Sequence, residues 1–403
     1  MLPVTEITAL KELEDLLQAN NYLAEGEAIP ALTGKFEREG REIGVYAWLD
    51  TVVALSVPGC ALTALPESFG QLTRLQQLDL TGNRLASLPE SFGNLTRLKK
   101  LYLDYNRLAS LPGGLQNLIH LEEFHLDYNR LVSLPEWIGR LTGLKTLSLY
   151  SNQLTALPDS FGRLTDLKEL SAGNNRLTSL PDSIWQLTGL QILNVAQNRL
   201  SAVAEALGNL TNLYMLDLGH NELETVPETL GSLINLTFLY LSNNHLKSIP
   251  ASLEKLANLI YLNITHNQFV SLPENIGSLI SLQELRVYNN KLTSLPASLG
   301  QLANLKELHL NDNRLVSLPE SLGNLASLTH LSVRNNRLAT LPASLERLSN
   351  LTHLDLRANR FVSLPASITE LPHLKKLDVR WNKLFSRPAW MQQLEQRGCR
   401  VYV

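Results

Sequence analysis

The sequence predicts an α/β solenoid, in which short parallel strands alternate with short helical turns along the chain. Three observations carry this prediction: one asparagine recurs every 23 residues, the leucines before it alternate with a period of two, and proline follows at a fixed distance. An internal period of this length indicates a repeat architecture rather than a set of separate globular domains.

The asparagine defines the repeat unit. Each unit has the pattern LxxLxLxxNxLxxLPxxLGxLxx, and fifteen units of 23 residues cover residues 52–396, with Cys60 at the asparagine position of the first unit. We expect residues 1–51 to form an N-terminal cap of a helix and a strand, and residues 397–403 to form a C-terminal capping tail. The recurring asparagines are Asn83, Asn106, Asn129, Asn152, Asn175, Asn198, Asn221, Asn244, Asn267, Asn290, Asn313, Asn336, Asn359 and Asn382.

The first half of each unit predicts one short strand. Leu78 and Leu80 flank Asp79 with a period of two, and Val195 and Ile264 replace the second leucine in other units, as strands prefer. Strands that repeat with identical spacing must lie parallel, and a unit of 23 residues leaves room for the crossover that parallel pairing needs.

The second half of each unit predicts a short helical turn. Proline after leucine suits the start of such a turn, and the following glycine is able to end it. Fourteen of the fifteen units keep this proline, and Ala204 stands in the exception.

The asparagine has a physical reason of its own. Backbone groups at the bend after the strand are buried without ladder partners, and an amide that both donates and accepts satisfies them. We therefore expect an asparagine ladder along the repeats, with Cys60 in a structural role at its first position.

The N-terminal segment predicts a helix that begins at a Thr5 cap, followed by a strand over residues 43–48. It contains ten acidic and four basic residues, so a solvated cap and a separate docking site are both open interpretations. The apolar face of the helix is expected to consist of Ile7, Leu10, Leu13, Leu16 and Leu17.

These units resemble the 23-residue leucine-rich repeats of the Scribble, Erbin and Ras-suppressor type, and those of bacterial intracellular repeat proteins. The resemblance implies a curved solenoid with a parallel sheet on the concave face and short helical turns on the convex side. It also implies that the concave face contacts protein partners. The cysteine-rich caps of extracellular relatives are not found, which favours an intracellular protein.

Composition excludes several classes of function. The net charge of −3 does not predict the basic surface that nucleic-acid binding needs. Neither a signal peptide nor an apolar stretch for membrane insertion is found. Cys60 and Cys399 lie at opposite ends of the repeats, so we expect free thiols and a cytoplasmic location.

The sequence offers no catalytic, cofactor or metal site. Phosphate loops and zinc-binding motifs are missing, and the histidines of neighbouring strands, His309, His330 and His353, form a diagonal without a carboxylate to complete a metal site. Bacterial relatives with a ubiquitin-ligase domain carry a reactive cysteine, but too few residues surround Cys399 for such a domain. We expect a protein that is not an enzyme.

The positions that the scaffold leaves free are expected to face the concave side and to bind the partner. All eight tyrosines of the repeats fall on these positions. A tyrosine–aspartate zone is defined by Tyr102, Asp104, Tyr105, His125, Asp127, Tyr128 and Tyr150.

An apolar stripe occupies the third position of four successive repeat units. Its side chains are expected to lie about 4.8 Å apart on neighbouring strands. An exposed apolar stripe of this kind indicates an interaction site. The alternative is that neighbouring side chains or a dimer cover it. The stripe is Ile192, Met215, Phe238 and Tyr261, and Tyr240 is a further candidate beside it.

An arginine–histidine zone occupies the last five units. Asp355 and Asp378 offset the repulsion between its arginines, so the zone is either an internally balanced surface or a site for an acidic patch of the partner. It consists of Arg286, Arg334, Arg357, Arg380, His309, His330, His353, Lys376 and Trp381.

These patterns predict a protein–protein interaction scaffold or adaptor in the cytoplasm, with signalling as the role that the resemblance suggests. Two alternatives remain open at this point. One is the recognition module of a bacterial effector or toxin system, and the other is a homodimer that pairs its concave or edge surfaces.

Overall fold

Residues 2–31, 42–48 and 50–403 are described in a computed structural model, and the chain divides into two compact units, Met1–Arg199 and Leu200–Val403. Each unit stacks repeats that place short strands on one side and 3-10 helical turns on the other. The predicted fold class, an α/β repeat solenoid with a parallel sheet, is confirmed in each of them. The division into cap, fifteen-unit array and tail stays a prediction.

The first unit begins with helix α1 and an antiparallel strand pair, and parallel strands then follow at one per repeat. Residues at the same repeat position are paired in register, as Leu78 is with Leu101. The elements are α1 (Val4–Ala19), β1 (Gly44–Trp48), β2 (Thr51–Ser56), β3 (Gln77–Asp79), β4 (Lys100–Tyr102), β5 (Glu123–His125), β6 (Thr146–Ser148), β7 (Glu169–Ser171) and β8 (Ile192–Asn194).

The second unit continues the same arrangement and places helix α2 before its last strand. That strand also pairs parallel, with Lys376 opposite Arg400. The elements are β9 (Met215–Asp217), β10 (Phe238–Tyr240), β11 (Tyr261–Asn263), β12 (Glu284–Arg286), β13 (Glu307–His309), β14 (His330–Ser332), β15 (His353–Asp355), β16 (Lys376–Asp378), α2 (Met391–Gln396) and β17 (Arg400–Tyr402).

Helix α1 begins two residues earlier than a Thr5 cap predicts. Its N-terminal cap is Pro3, which makes no side-chain cap hydrogen bond, so the expected Thr5 cap was wrong. Thr8 instead donates to the Val4 carbonyl within the helix. Leu10, Leu13 and Leu17 are buried, together with Glu6, whose carboxylate accepts the Val52 N–H at 2.9 Å.

The asparagine ladder is present as expected. Asn267, for example, accepts the Leu246 N–H of the preceding repeat at 2.9 Å and donates to the Leu241, Ile264 and Thr265 carbonyls. The amide therefore joins neighbouring repeats through buried backbone groups that have no partner in the sheet.

The 3-10 turns show why proline and glycine recur. Pro89 lies just before the turn Glu90–Asn94 in an extended conformation, and Ala204 adopts nearly the same backbone angles in the unit that lacks proline. The expectation that glycine ends the turn was wrong, because the glycine lies inside it and leucine follows. A Cβ on Gly70 would come within 2.3 Å of the Ser91 carbonyl oxygen, so glycine lets successive turns pack closely.

Candidate functional site

The parallel register decides which free side chains become neighbours. Met215, Phe238 and Tyr261 occupy one register row, and each scaffold leucine beside them is fully buried. Side chains at the same repeat position on adjacent strands thus stand about 4.8 Å apart along the strand face.

Two stacked tyrosines are the most exposed aromatic pair of the first unit. The rings of Tyr105 and Tyr128 are separated by 4.3 Å between centroids, with an interplanar angle of 8°. Their exposed fractions are 52% and 42%, in the range of surface side chains. The Tyr150 ring meets Tyr128 edge-on at 5.6 Å, so three aromatic side chains of the zone form one cluster.

The backbone beneath the stack is left-handed. The residue before each ladder asparagine has a positive φ, which is 56° at Tyr105 and 54° at Tyr128. The close turn out of the strand imposes this conformation on every repeat, and asparagine, histidine or glycine adopts it more readily than a bulky residue. Other repeats do place Asn174, Asn243 or His220 there.

Aspartates of the zone hold the loop behind the tyrosines. Asp104 accepts the Asp127 N–H at 2.8 Å, and Asp127 accepts the Tyr150 N–H at 2.8 Å and the Ser148 hydroxyl at 2.6 Å. Asp104 is only 1% exposed, so its expected place on the contact surface was wrong. The carboxylate accepts the backbone N–H of the next repeat instead.

Tyr102 is also buried rather than presented to a partner. It is 5% exposed, its hydroxyl donates to Glu123 at 2.6 Å, and its ring lies 5.0 Å from that of His125. The side chains of the next repeat cover it, which a one-dimensional pattern does not reveal.

Two sets of residues in this zone were not among the predicted binding residues. Gly173 leaves space for the Tyr150 ring, because a Cβ there would lie 3.0 Å from its Cδ2 atom. Gly59 and Gly82 leave a slot of about 450 Å³ beside Tyr105, which Pro58 and Thr81 complete. Glycine at a position that carries larger side chains in other repeats is the sequence signal by which both could have been found.

The apolar stripe has members in both compact units. Met215, Phe238 and Tyr261 are register neighbours in the second unit, whereas Ile192 belongs to the first unit and pairs with Glu169. All four side chains are half-buried. Tyr240 packs against Tyr261 at 4.9 Å between ring centroids, and burial raises the pKa of the Tyr261 phenol to about 12.

The arginines of the arginine–histidine zone are paired with carboxylates along the strands. Arg357 bonds Asp355, and Arg380 bonds the fully buried Asp378 through two nitrogens at 2.9 and 2.6 Å. Burial by itself raises the pKa of Asp378, but the Arg380 hydrogen bonds and the Arg357 charge outweigh it and leave that pKa below its usual value. These ion pairs agree with the first of the two interpretations of this zone, a surface whose charges balance one another.

Arg334, Lys376 and Trp381 are the exposed members of this zone. Trp381 is 66% exposed on a left-handed backbone, and the Arg380 guanidinium lies 5.5 Å from its ring centroid. Arg286 bonds Glu284 and lies over the Tyr261 ring at 5.6 Å, which joins this zone to the half-buried aromatic residues beside it.

The three histidines lie on the diagonal that the sequence suggests, because His330 and His353 share one register row and His309 lies two residues beyond it. His309 meets Glu307 at 3.1 Å and Glu284 at 3.8 Å, so the expectation that no carboxylate joins it was wrong. The ligand atoms of these three side chains lie within 4.8 Å of one another. Arg286 already bonds Glu284, so one of the two carboxylates is paired with the protein's own cation.

His330 and His353 stack on each other, with ring centroids 4.3 Å apart. Burial lowers the pKa of His353, and the charges of His330, Lys376 and Lys375 lower it further. A pocket of about 470 Å³ lies beside them. Its lining, most of which sequence reasoning missed, is His353, Lys375, Lys376, Gly398, Arg400 and Tyr402.

Both cysteines are free and buried. Burial raises the pKa of the Cys60 thiol to about 11, so its thiolate is scarce at neutral pH. The same cause raises the pKa of Cys399. Neither thiol has the environment of a nucleophile.

Family comparisons identify the fold. The family described as "Leucine-rich repeat region" matches residues 54–129, 114–222, 207–312 and 250–338, and the one described as "Leucine rich repeat" matches residues 328–384. The chain therefore belongs to the leucine-rich repeat family, whose members are generally non-enzymatic interaction modules. The comparison with curated proteins returned no match. Among the described residues, no helix is long and apolar enough to cross a membrane.

Solved structures give the same result. A leucine-rich repeat protein of Leptospira interrogans is 32% identical over 87% of this chain and 95% of its own, with a TM-score of 0.81. A plant peptide hormone receptor, solved in complex with RGF2, is 32% identical over 82% of this chain and 55% of its own, with a TM-score of 0.72. The leucine-rich effector protein YopM of Yersinia pestis is 29% identical over 87% and 88%, with a TM-score of 0.64.

Proposed function

We propose that this chain is a non-enzymatic scaffold that binds a protein partner on its strand face, with Tyr105 and Tyr128 as the anchor. The observation that carries the proposal is their exposed, stacked pair of rings. Tyrosine buries a large apolar area with little loss of side-chain entropy and is enriched at binding hot spots.

The backbone places these two side chains but does not single them out. The left-handed conformation recurs in every repeat, and Ser151, Gln197 or Ala358 occupies it elsewhere. Tyr105 and Tyr128 differ from those repeats because two aromatic rings stack in succession there.

The apolar stripe is the second choice for the anchor. Met215, Phe238, Tyr240 and Tyr261 are half-buried by one another and offer less free surface than Tyr105. In the arginine–histidine zone, Arg357 and Arg380 are already paired with aspartates. A partner that reaches this zone would contact Arg334 and Trp381.

The partner and location follow from general chemistry. A net charge of −3 disfavours nucleic acid, and two free, buried thiols suit a reducing cytoplasm. The similar plant receptor is solved with a ligand, which supports a protein or peptide partner here. An adaptor in signalling is the role that we propose for this module.

Capture of partners by the immobilised chain from a lysate of its native cells tests the proposal. The variant Tyr105→Asn/Tyr128→Asn keeps a side chain suited to the left-handed backbone, so its melting temperature should equal or exceed that of the wild type. Affinity for the captured partner should fall by roughly 30-fold, the usual hot-spot effect.

His220→Asn is the matched control, because His220 occupies the same left-handed repeat position, exposed, in the second unit. It should leave both capture and melting temperature unchanged. Full affinity in the double tyrosine variant would place the anchor outside the tyrosine–aspartate zone and overturn the proposal.

A bacterial effector module is the second candidate, favoured by the similarity to YopM over 87% of the chain. A translocation reporter fused to the chain and expressed in a bacterium with a contact-dependent secretion system tests it. Reporter signal inside co-cultured host cells supports this function, whereas a signal confined to the bacterium supports the cytoplasmic adaptor.

A further inference from the structure

One face of the Tyr105 ring is open. Tyr128 covers the other face, and on the open side the preceding repeats carry Gly82 and Gly59, which line the slot. A Cβ on Gly82 would meet only Gly59 backbone atoms, at 3.5 Å. Because repeats follow each other at about 4.8 Å, the slot offers the space of one further flat group in the stack.

Buried negative charge lies next to this space. Asp79 and Asp104 are 3% and 1% exposed, and Asp79 accepts the N–H of the slot residue Thr81 at 2.8 Å. Salt and water screen buried charges weakly, so the Asp79 carboxylate, which bonds a residue of the slot, favours a cation there. The nearby cation Lys100 is already paired with the Glu123 carboxylate, at 2.7 Å.

The pKa of the Tyr105 phenol indicates the same negative electrostatic environment. Partial burial raises its pKa first, and then the neighbouring Tyr128 and the carboxylates of Asp104 and Asp127 raise it further. A negative environment that resists loss of the phenol proton also favours a positive ligand against the ring.

From this geometry and charge we infer that the slot binds an arginine side chain of the protein partner, with its guanidinium stacked on the open face of Tyr105. The inference rests on the proposed function and names the group that the partner presents. A guanidinium is planar and weakly hydrated, so it stacks on an aromatic ring more readily than the compact ammonium of lysine.

The chain shows this pairing elsewhere. Arg286 lies 5.6 Å from the Tyr261 ring centroid, and Arg380 lies 5.1 Å from that of Tyr402. In both cases a guanidinium covers an aromatic ring on the strand face near a carboxylate, as we infer for Tyr105.

Titration of the full chain, labelled with ¹⁵N-glycine, with the peptide Ac-Gly-Arg-Gly-NH₂ tests the inference by NMR. The amide signals of Gly59 and Gly82 should shift and saturate. The same peptide with citrulline keeps the shape without the charge and should bind roughly three- to fivefold more weakly. A lysine peptide should also bind more weakly, and a phenylalanine peptide that matches arginine would overturn the inference.

Gly82→Asn is the decisive variant, because asparagine suits the left-handed backbone and its side chain fills the slot while Tyr105 stays in place. We expect it to abolish the Gly59 shift and leave the melting temperature unchanged. An unchanged titration in this variant would overturn the inference. The proposed function would stand in that case if Tyr105→Asn/Tyr128→Asn still lost the captured partner, so the two failures are distinguishable.

Discussion

Asparagine is the residue that lets a polar side chain remain inside this repeat core. Each ladder amide satisfies an N–H of the preceding repeat and carbonyls at its own bend, as Asn267 does. Leucine, which has a similar branched shape, would leave those buried groups without partners, and their desolvation would not be recovered.

We expect Asn267→Ala to lower the free energy of unfolding by about 1–3 kcal/mol, because it leaves the Leu246 N–H and the Leu241 carbonyl unpaired. Asn235→Ala is the control, since Asn235 is exposed and donates only one observed bond, to the Thr211 carbonyl. Its effect should stay within about 1 kcal/mol by urea denaturation. Equal losses in the two variants would contradict the ladder's role.

The lowered pKa of His353 predicts acid sensitivity. The unfolded chain binds a proton at a higher pH than the folded one, so stability is complete above the ordinary histidine pKa and falls as pH drops below it. The groups that face the ring are His330, Lys375, Lys376 and Glu307, and its Nδ1 lies 2.9 Å from the Thr352 hydroxyl.

We expect His353→Asn to reduce the loss of unfolding free energy between neutral pH and pH 5, measured by denaturant titration at each pH. The control is His373→Asn, at an exposed histidine of the same unit, which should keep the wild-type pH dependence. If the unfolding free energy of His353→Asn and of the wild type changed identically with pH, His353 would not be the group responsible for the acid sensitivity.

At the scale of elements, successive 3-10 turns are packed closely against each other. Gly114 would place a Cβ 2.3 Å from the Glu90 carbonyl oxygen, whereas its neighbour Gly113 would meet only a Glu90 carboxylate oxygen at 3.8 Å. Two adjacent glycines of one turn therefore differ in whether the neighbouring turn has to move.

We expect Gly114→Ala to lower the free energy of unfolding by roughly 1–3 kcal/mol through overpacking. Gly113→Ala should be neutral or stabilising by about 0.4–1 kcal/mol, because alanine restricts the unfolded chain at a position without strain. Thermal and urea unfolding of both variants measure the difference. Equal stabilities would show that the turns are not in close contact.

At the scale of the whole molecule, regular helix is scarce. Among the described residues the α-helices are α1 with 16 residues and α2 with 6, in a chain of 403. We expect a circular dichroism spectrum with weak helical bands, and a predominantly helical spectrum would reject the architecture.

Metal should not contribute to stability. Glu284, Glu307 and His309 lie close together, but Arg286 bonds Glu284 and competes with any divalent cation. The melting temperature should therefore stay constant when EDTA or zinc chloride is added. A rise with zinc that His309→Asn removes would make this cluster a metal site.

The 23-residue period by itself determined the parallel strands, their register, the buried leucines and the asparagine ladder, because identical spacing repeats identical short-range geometry. Exposure was decided only by the tertiary structure. Tyr102 and Tyr105 both belong to the predicted zone, yet Glu123 and His125 of the next repeat bury the first, while the glycines of earlier repeats leave one face of the second open. The exposure of a side chain depends on the size of its neighbours one repeat away, and those are the positions that the repeat pattern leaves unspecified.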